Sequence, residues 1–317
     1  MASLPSIAVP QTQRIPLPFA SYKTRAPRGG VTQLVNCAAE QGQAKGDILL
    51  NGVPGQTLTN TLPHGIQRGA IKFQNAPHVV AGNKLYKLNE NDTYTELATV
   101  PGLDHVPMAQ NGAQLVIVVR PTAYVWDGST LAQITDPDFR DAIDCTFNGN
   151  FILFVEADSG RFFGSELGEA TDYDSLDFAT AESFPDDLVG IGSDHGDVFL
   201  AGTETCELWG NVGGSGFPYS KRYNGSIEQG CGAGKSIINA DQSLFWIDET
   251  RIARRLNGVT PVRISQHGVE VAWQKYTTIA DAEGFSYTLD GHIYCVWTFP
   301  TANKTWEYDV TAQQWHE

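Results

Sequence analysis

Along most of this chain the apolar positions come in runs of four to seven, not at helical spacing, and pairs of turn-forming residues separate the runs. Between Ala142 and Asn211 the order is an apolar run, an Asn148-Gly149 turn, a more apolar run from Phe151 to Val155, a small turn at Ser159-Gly160, and an aromatic strand from Arg161 to Ser165. Leu188 to Trp209 repeats that order. β-Branched and aromatic runs bounded by Asn-Gly or Asp-Gly signal hairpins, because those turn residues accept the positive φ that a two-residue turn needs. The stretch predicts an antiparallel meander, written at least twice.

The same unit recurs along the chain. The turns assigned to the first two strands of successive units are Gly82-Asn83, Asn111-Gly112, Asn148-Gly149, Asp194 to Gly196, Asp241-Gln242 and Asp290-Gly291. They lie between about 29 and 49 residues apart, close to the roughly 40 to 50 residue blade of a β-propeller. The expected fold is therefore all-β, a six-bladed propeller. Its first blade begins within His64 to Phe73, and Trp306, Tyr308 and Trp315 close the last two strands. The first blade is expected to borrow a strand from one end of the chain, as closed propellers commonly do.

The beginning of the chain reads differently. Residues 1–30 carry Pro5, Pro10, Pro16, Pro18 and Pro27, scattered apolar residues, and Arg14, Lys23, Arg25 and Arg28. Proline at that density prevents regular ladders and favours an extended arm. Its apolar content favours docking over disorder. Ile15, Phe19 and Tyr22 are the candidate anchors for a contact between subunits. The expected division is an arm over 1–30 and a propeller over 31–317. The propeller includes an irregular lead-in with a strand at Asp47 to Leu50 and a turn at Gly52 to Gly55.

Composition narrows the class. The 317 residues carry a formal charge of -15, which repels nucleic acid and anionic lipid at long range. Arg251, Arg254 and Arg255 are the only basic cluster that stands out, and they read as solvated strand positions. No stretch approaches the roughly 18 consecutive apolar residues of a membrane span. The N-terminus lacks the basic segment and apolar block of a signal peptide, so a protein without a membrane anchor, made in a cytoplasm, is expected. The five cysteines, Cys37, Cys145, Cys206, Cys231 and Cys295, form no CxxC pair and read as reduced core residues.

Motifs for chemistry are weak. Gly230 to Ser236, GCGAGKS, approaches a phosphate-binding loop, but Gln229 stands where that loop needs its first glycine and strand-like sequence follows. It reads as a glycine-rich crossing between blades. Trp126-Asp127 marks a turn. Asp136, Asp138, Asp141 and Asp144, and Asp172, Asp174 and Asp177, match no cation loop and read as solvated loop carboxylates. The seven histidines are dispersed, and no G-x-S-x-G elbow is present. No catalytic residue, cofactor or metal is assigned. Glycoside cleavage by paired carboxylates stays open, with Trp209 or Phe217 as residues that could stack on a sugar.

Four segments, in order, carry a resemblance: LVNCAAEQGQAKGDILLNGVPG, then GNFILFVEADSGRFFGSELGEATDYDSLDFATAESFPDDLVGIGSDHGDVFLAGTETCELWGN, then EQGCGAGKSIINADQSLFWIDETRIARRLNGVTPVRIS, and the closing WEYDVTAQQWHE. Over roughly Val35 to Glu317 the chain resembles the packaged-DNA stabilisation family of short-tailed phages, described as tail-hub or head-completion proteins. The resemblance implies a virion protein, assembled in the host cytoplasm into a ring of its own copies, a hexamer. It implies attachment to a portal-adaptor protein, a platform for tail spike, fibre or plug proteins, and DNA that passes without sequence-specific binding. Members of that family continue past the propeller into a second β domain, whereas this sequence stops at Glu317, as either a fragment or a shorter member would. The alternatives are a carbohydrate-binding or glycoside-cleaving propeller and a cellular scaffold. The inserts 168–187 and 210–230 are expected to be loops that meet partners.

Overall fold

The structure, a computed structural model, describes residues 58, 61–181, 186–214, 216–222 and 226–317, and the backbone of Cys37–Gln41 and Ile48–Gly52. Six antiparallel sheets follow one another in sequence, each built from four consecutive strands, so the chain is a six-bladed propeller. The inner strands of blades 1 to 6 are Gln67–Phe73, Met108–Gln110, Ala142–Asn148, Leu188–Asp194, Ile238–Ala240 and Glu283–Leu289. From blade 1 to blade 6, each packs against the next.

Burial explains the sequence pattern. The second strands lie between neighbouring blades and are covered on both faces, so they read as continuous apolar runs: Leu115–Val119, Phe151–Glu156, Asp197–Gly202 and Ser243–Ile247. Outer strands meet solvent and are short or polar, as in Tyr94–Thr99 and Leu131–Gln133. Apolar clusters fill the junctions from 1–2 through 5–6. The last is the most aromatic: Trp297 stacks on Trp315 with ring centroids 5.5 Å apart, and its Nε1–H donates to the Ser236 carbonyl at 2.9 Å.

The inner strands of blades 1, 3 and 4 share an irregularity near their starts, where the register shifts between Gln67 and Gly69, Ala142 and Asp144, and Leu188 and Gly190. A bulge of this kind bends the strand and re-aims the next side chain. Gly69 and Gly190 follow it in blades 1 and 4. A Cβ on Gly69 would lie 2.4 Å from the Val106 carbonyl oxygen of the blade 1–2 crossing, and one on Gly190 would lie 2.9 Å from Cα of Gly234. In blade 3 the equivalent position is Asp144.

Several expectations need correction. Among the described residues no blade borrows a strand from a chain end; blade 1 runs from Gln67 to Thr99 and blade 6 from Glu283 to His316. Gly82-Asn83 joins the second and third strands of blade 1, and the first turn is Gln74-Asn75, with φ of 45° and 63°. The insert 168–187 contains the outer strand Phe178–Thr180, and 210–230 contains Tyr219–Lys221, both edge strands of three residues. A seven-residue α-helix, His267–Trp273, joins blades 5 and 6 and drives Val269 and Trp273 into their shared core.

Other readings agree. The strand expected at Asp47 to Leu50 is present as Ile48–Gly52, paired with Cys37–Gln41. Cys145, Cys206, Cys231 and Cys295 are free and buried. The proposed arm, residues 1–30, and with it Ile15, Phe19 and Tyr22, lies outside the described residues.

Candidate functional site

Residues of the connections between blades line an open cavity of about 670 Å³ at one end of the propeller. Asp144, Lys235, Glu249, Arg251, Thr277 and Thr278 supply its polar lining, and Ile143, Val189 and Ile279 part of its apolar lining. The GCGAGKS segment forms one wall, with a single 3-10 turn at Gly234–Ser236. Glycine is required here because backbones meet: a Cβ on Gly234 would sit 1.8 Å from the Val189 carbonyl oxygen, and one on Gly230 would sit 2.3 Å from that of Thr203. The segment is thus the crossing between blades 4 and 5 that its sequence suggested. Its lysine reaches the cavity mouth, with Nζ 3.5 Å from Glu283.

Asp144 is the most perturbed carboxyl in this region. It lies deep in the body of the molecule but keeps one edge on the cavity. The backbone N–H groups of Cys145 and Ile191 donate to its two oxygens at 2.8 and 3.0 Å, which ties blade 3 to blade 4. Burial pushes its pKa up to about 7, against those two donors and the Lys235 charge. His105 is pushed down to about 4, chiefly by burial and then by Lys235 and Arg68. Arg68, itself buried, donates to the carbonyls of Asp104, Gly82, Val100 and Pro101 and thereby fixes the crossing from blade 1 to blade 2. Burial holds the Cys231 thiol up at about 12, and it donates to the Ala233 carbonyl. These groups are engaged in joining blades to one another.

The three arginines expected to be solvated are tied down. Arg251 donates to the carbonyls of Trp273 and Tyr276, Arg254 pairs at 2.7 Å with the fully buried Asp248, and Arg255 pairs at 2.8 Å with Asp241. Their acceptors are two backbone carbonyls, a buried carboxylate and a turn carboxylate, so no free basic patch results from them. The acidic clusters are also structural in part. Asp136 accepts from the N–H groups of Asp138 and Tyr173, Asp141 pairs with Arg120, and Asp174 accepts from Leu176. Among the described residues no group of three or more His, Cys, Asp or Glu side chains is arranged to hold a metal. Trp209 and Phe217, the candidate sugar platforms, are both half-buried with their rings against Phe162.

On blades 3 and 4 the loops before the outer strands expose apolar tips. Leu167 is 63% exposed, Leu176 76% and Val212 63%. The loop carrying Leu167 is rigid: Gly168 N–H donates to Asn150, while Gln114 of blade 2 donates to Glu169 and accepts from Ala170 N–H. Exposed apolar groups on a fixed scaffold suit protein contact. The inserts that the sequence marked for partners are these loops. Of the cavity groups, Asp144, Lys235 and Arg251 were named from the sequence, but as a loop carboxylate, part of a blade crossing and a solvated strand position, whereas Glu249, Thr277 and Thr278 carried no signal.

A family model described as bacteriophage P22 Gp10, beta-propeller, matches residues 20–317. No curated protein matches the chain. Among solved structures, the extracellular domain of a putative one component system, BT4673 from B. thetaiotaomicron, aligns with a TM-score of 0.50 and 10% identity over 75% of this chain, which spans 33% of that one. YCF48 bound to a D1 peptide aligns with a TM-score of 0.46 and 11% identity over 80% of this chain and 82% of that one. The first of these likenesses concerns the fold alone.

Proposed function

Since the chain belongs to the phage P22 Gp10 β-propeller family, a family of phage structural proteins, we propose that it acts as a tail-hub or head-closure subunit. In this reading it retains packaged DNA and joins a portal adaptor to tail spikes, fibres or a plug, within a ring of its own copies. It is a virion component without catalytic activity. The observation that carries the reading is the family match over residues 20–317.

The physical chemistry is compatible with that role. A formal charge of -15 opposes adhesion to a polyanion that must later leave the head. The blades give a rigid body, and Leu167, Leu176 and Val212 give it apolar contacts on one sector. Hot spots in interfaces are few and well anchored, so two or three such tips can decide a docking event.

The test is made on particles. Phage carrying the triple variant Leu167→Asp, Leu176→Asp and Val212→Asp, and phage lacking the gene, are scored for DNA-filled heads and tail appendages. The reading expects heads that package DNA, lose it, and lack appendages when the gene is absent. It expects normal folding but fewer appended particles for the triple variant. Complete, DNA-retaining particles without the gene would overturn it.

A further inference from the structure

The cavity at the end of the propeller has hydrogen-bond donors to spare. Elsewhere on this acidic chain many arginines sit against carboxylates, as Arg120 does with Asp141, Arg222 with Asp197 and Arg263 with Glu270. Around the cavity that pattern breaks. Arg251 is held by the carbonyls of Trp273 and Tyr276, both through Nη1, and pairs with no carboxylate among the described residues. A carbonyl accepts a hydrogen bond but cancels no charge, so the rest of the guanidinium stays a charged donor. Lys235 meets Glu283 at 3.5 Å, a looser pair than Arg120 and Asp141 at 2.8 Å. Thr277 and Thr278 add hydroxyls, and Thr278 Oγ1 already accepts from the Ala280 N–H at 3.1 Å, which leaves its proton to donate.

The acceptors of the same lining are engaged within the fold. Both Asp144 oxygens take backbone N–H groups, from Cys145 and Ile191. The N–H groups of Glu249 and Gly230 act on the Glu249 carboxyl in the same way. Burial raises the pKa of both acids, that of Asp144 to about 7, which weakens it as a counter-charge. His105, on the crossing from blade 1 to blade 2, registers the balance: after burial, the charges that hold its pKa down at about 4 are those of Lys235 and Arg68.

The rest of the wall is apolar, with Ile143, Val189 and Ile279 facing the same space. The volume of about 670 Å³ falls among sites for small molecules, roughly 300 to 1,000 Å³. Such sites combine an apolar wall with a few polar groups that fix orientation. An inorganic anion would use the donors and leave the wall wet, and a neutral apolar molecule would leave the donors unpaired.

We propose that this cavity binds a small carboxylic acid anion, with Lys235, Arg251 and the two threonine hydroxyls receiving the carboxylate and Ile143, Val189 and Ile279 the hydrocarbon body. Lys235 decides the preference for a charged head, because Arg251 is also committed to the chain that follows the helix His267–Trp273. The site is separate from the apolar tips of blades 3 and 4 and does not depend on a virion role.

Ligand-observed NMR titration of the full chain with hexanoate tests it, with hexanamide and inorganic phosphate as controls. Hexanamide keeps the tail without the charge, and phosphate keeps charge without a tail. Hexanoate should bind about tenfold more tightly than either. Lys235 and Glu283 are both well exposed, so their variants leave the core intact. Lys235→Gln should weaken hexanoate by about fivefold or more. Glu283→Gln removes the carboxylate that competes for Lys235 and should tighten hexanoate by about twofold, a gain that a merely structural role for Lys235 would not produce. The proposal is overturned if hexanoate shows no binding at about 10 mM, or binds no better than hexanamide or phosphate. Undiminished binding to Lys235→Gln, or no gain with Glu283→Gln, overturns it as well.

Discussion

Asp144→Asn should change the pH dependence of stability in a direction that identifies which force dominates at this carboxyl. In the fold, burial raises the Asp144 pKa from 3.8 to about 7, although two backbone N–H groups and Lys235 favour the ionised form. A carboxyl with a raised folded pKa holds its proton more tightly in the native state than in the unfolded chain. Native protein therefore binds more protons between pH 3.8 and about 7, and stability falls as pH rises through that window. At 1.36 kcal/mol per unit, a shift of this size makes the ionised side chain cost about 4 kcal/mol above pH 7. Contact with cavity water trims that value. Asparagine cannot ionise, but its amide NH2 cannot accept from one of the two N–H donors, which costs about 1–3 kcal/mol at every pH. The variant should be less stable than wild type near pH 4 and gain on it by about 1 kcal/mol per unit up to pH 7, then run parallel. Denaturant melts of both proteins at half-unit steps from pH 4 to 8 measure this. The difference isolates Asp144 from the other carboxylates and from the general acidity of the chain. A flat difference would refute the raised pKa. In melts extended down to about pH 2.5, a difference that moves against the variant as pH rises toward about 4 would show that the N–H donors outweigh burial.

Two further perturbations probe how blades are joined. Trp297→Ala should cost about 3–5 kcal/mol, since a fully buried ring is lost from the blade 5–6 core, whereas Trp297→Phe should cost about 1–3 kcal/mol, mainly through the unpaired Ser236 carbonyl. Equal losses in denaturant melts would contradict the packing described. Gly234→Ala should destabilise by more than about 2 kcal/mol, because its Cβ meets the Val189 carbonyl at 1.8 Å, while Gly112→Ala, with open space but φ of +91°, should cost about 1 kcal/mol. A Gly112→Ala loss as large as that of Gly234→Ala would make backbone strain the cause at both sites.

The fold was legible where the turn chemistry was explicit. Asn148-Gly149, Asp241-Gln242 and Asp290-Gly291 flank apolar second strands, and all three mark the first turn of a blade. Blade 1 was mis-phased because its first turn, Gln74-Asn75, reaches positive φ without glycine, whereas the second carries the conspicuous Gly82. The outer strands Phe178–Thr180 and Tyr219–Lys221 were read as loop because an edge strand pairs on one side only and needs no apolar run. The helix His267–Trp273 is two turns long, too short for a helical period to show. Asp144 was counted with the loop acids, since its burial depends on a bulge and on a backbone N–H of the next blade, 47 residues away. Neither is local in sequence.

The axis limits how this protein could relate to a nucleic acid. Its inner strands pack closely on one another and on the crossings between blades, so that glycines replace side chains there: a Cβ on Gly284 would lie 2.7 Å from Ile238 of the neighbouring inner strand, while one on Gly69 would lie 2.4 Å from Val106 and one on Gly190 2.9 Å from Gly234, both in crossings. What space remains at the axial end, about 670 Å³, is on the scale of a small-molecule cavity. If DNA passes this protein in a virion through an opening bounded by several copies, as proposed above, each propeller is a wall segment of that opening. The relevant surfaces are then the blade rims and loop tips, and the charge of -15 is distributed over a wall that should repel the polymer beside it. Retaining DNA would accordingly be a matter of closing the opening through protein–protein contacts. The exposed apolar tips of blades 3 and 4 suit that work better than any group at the axis.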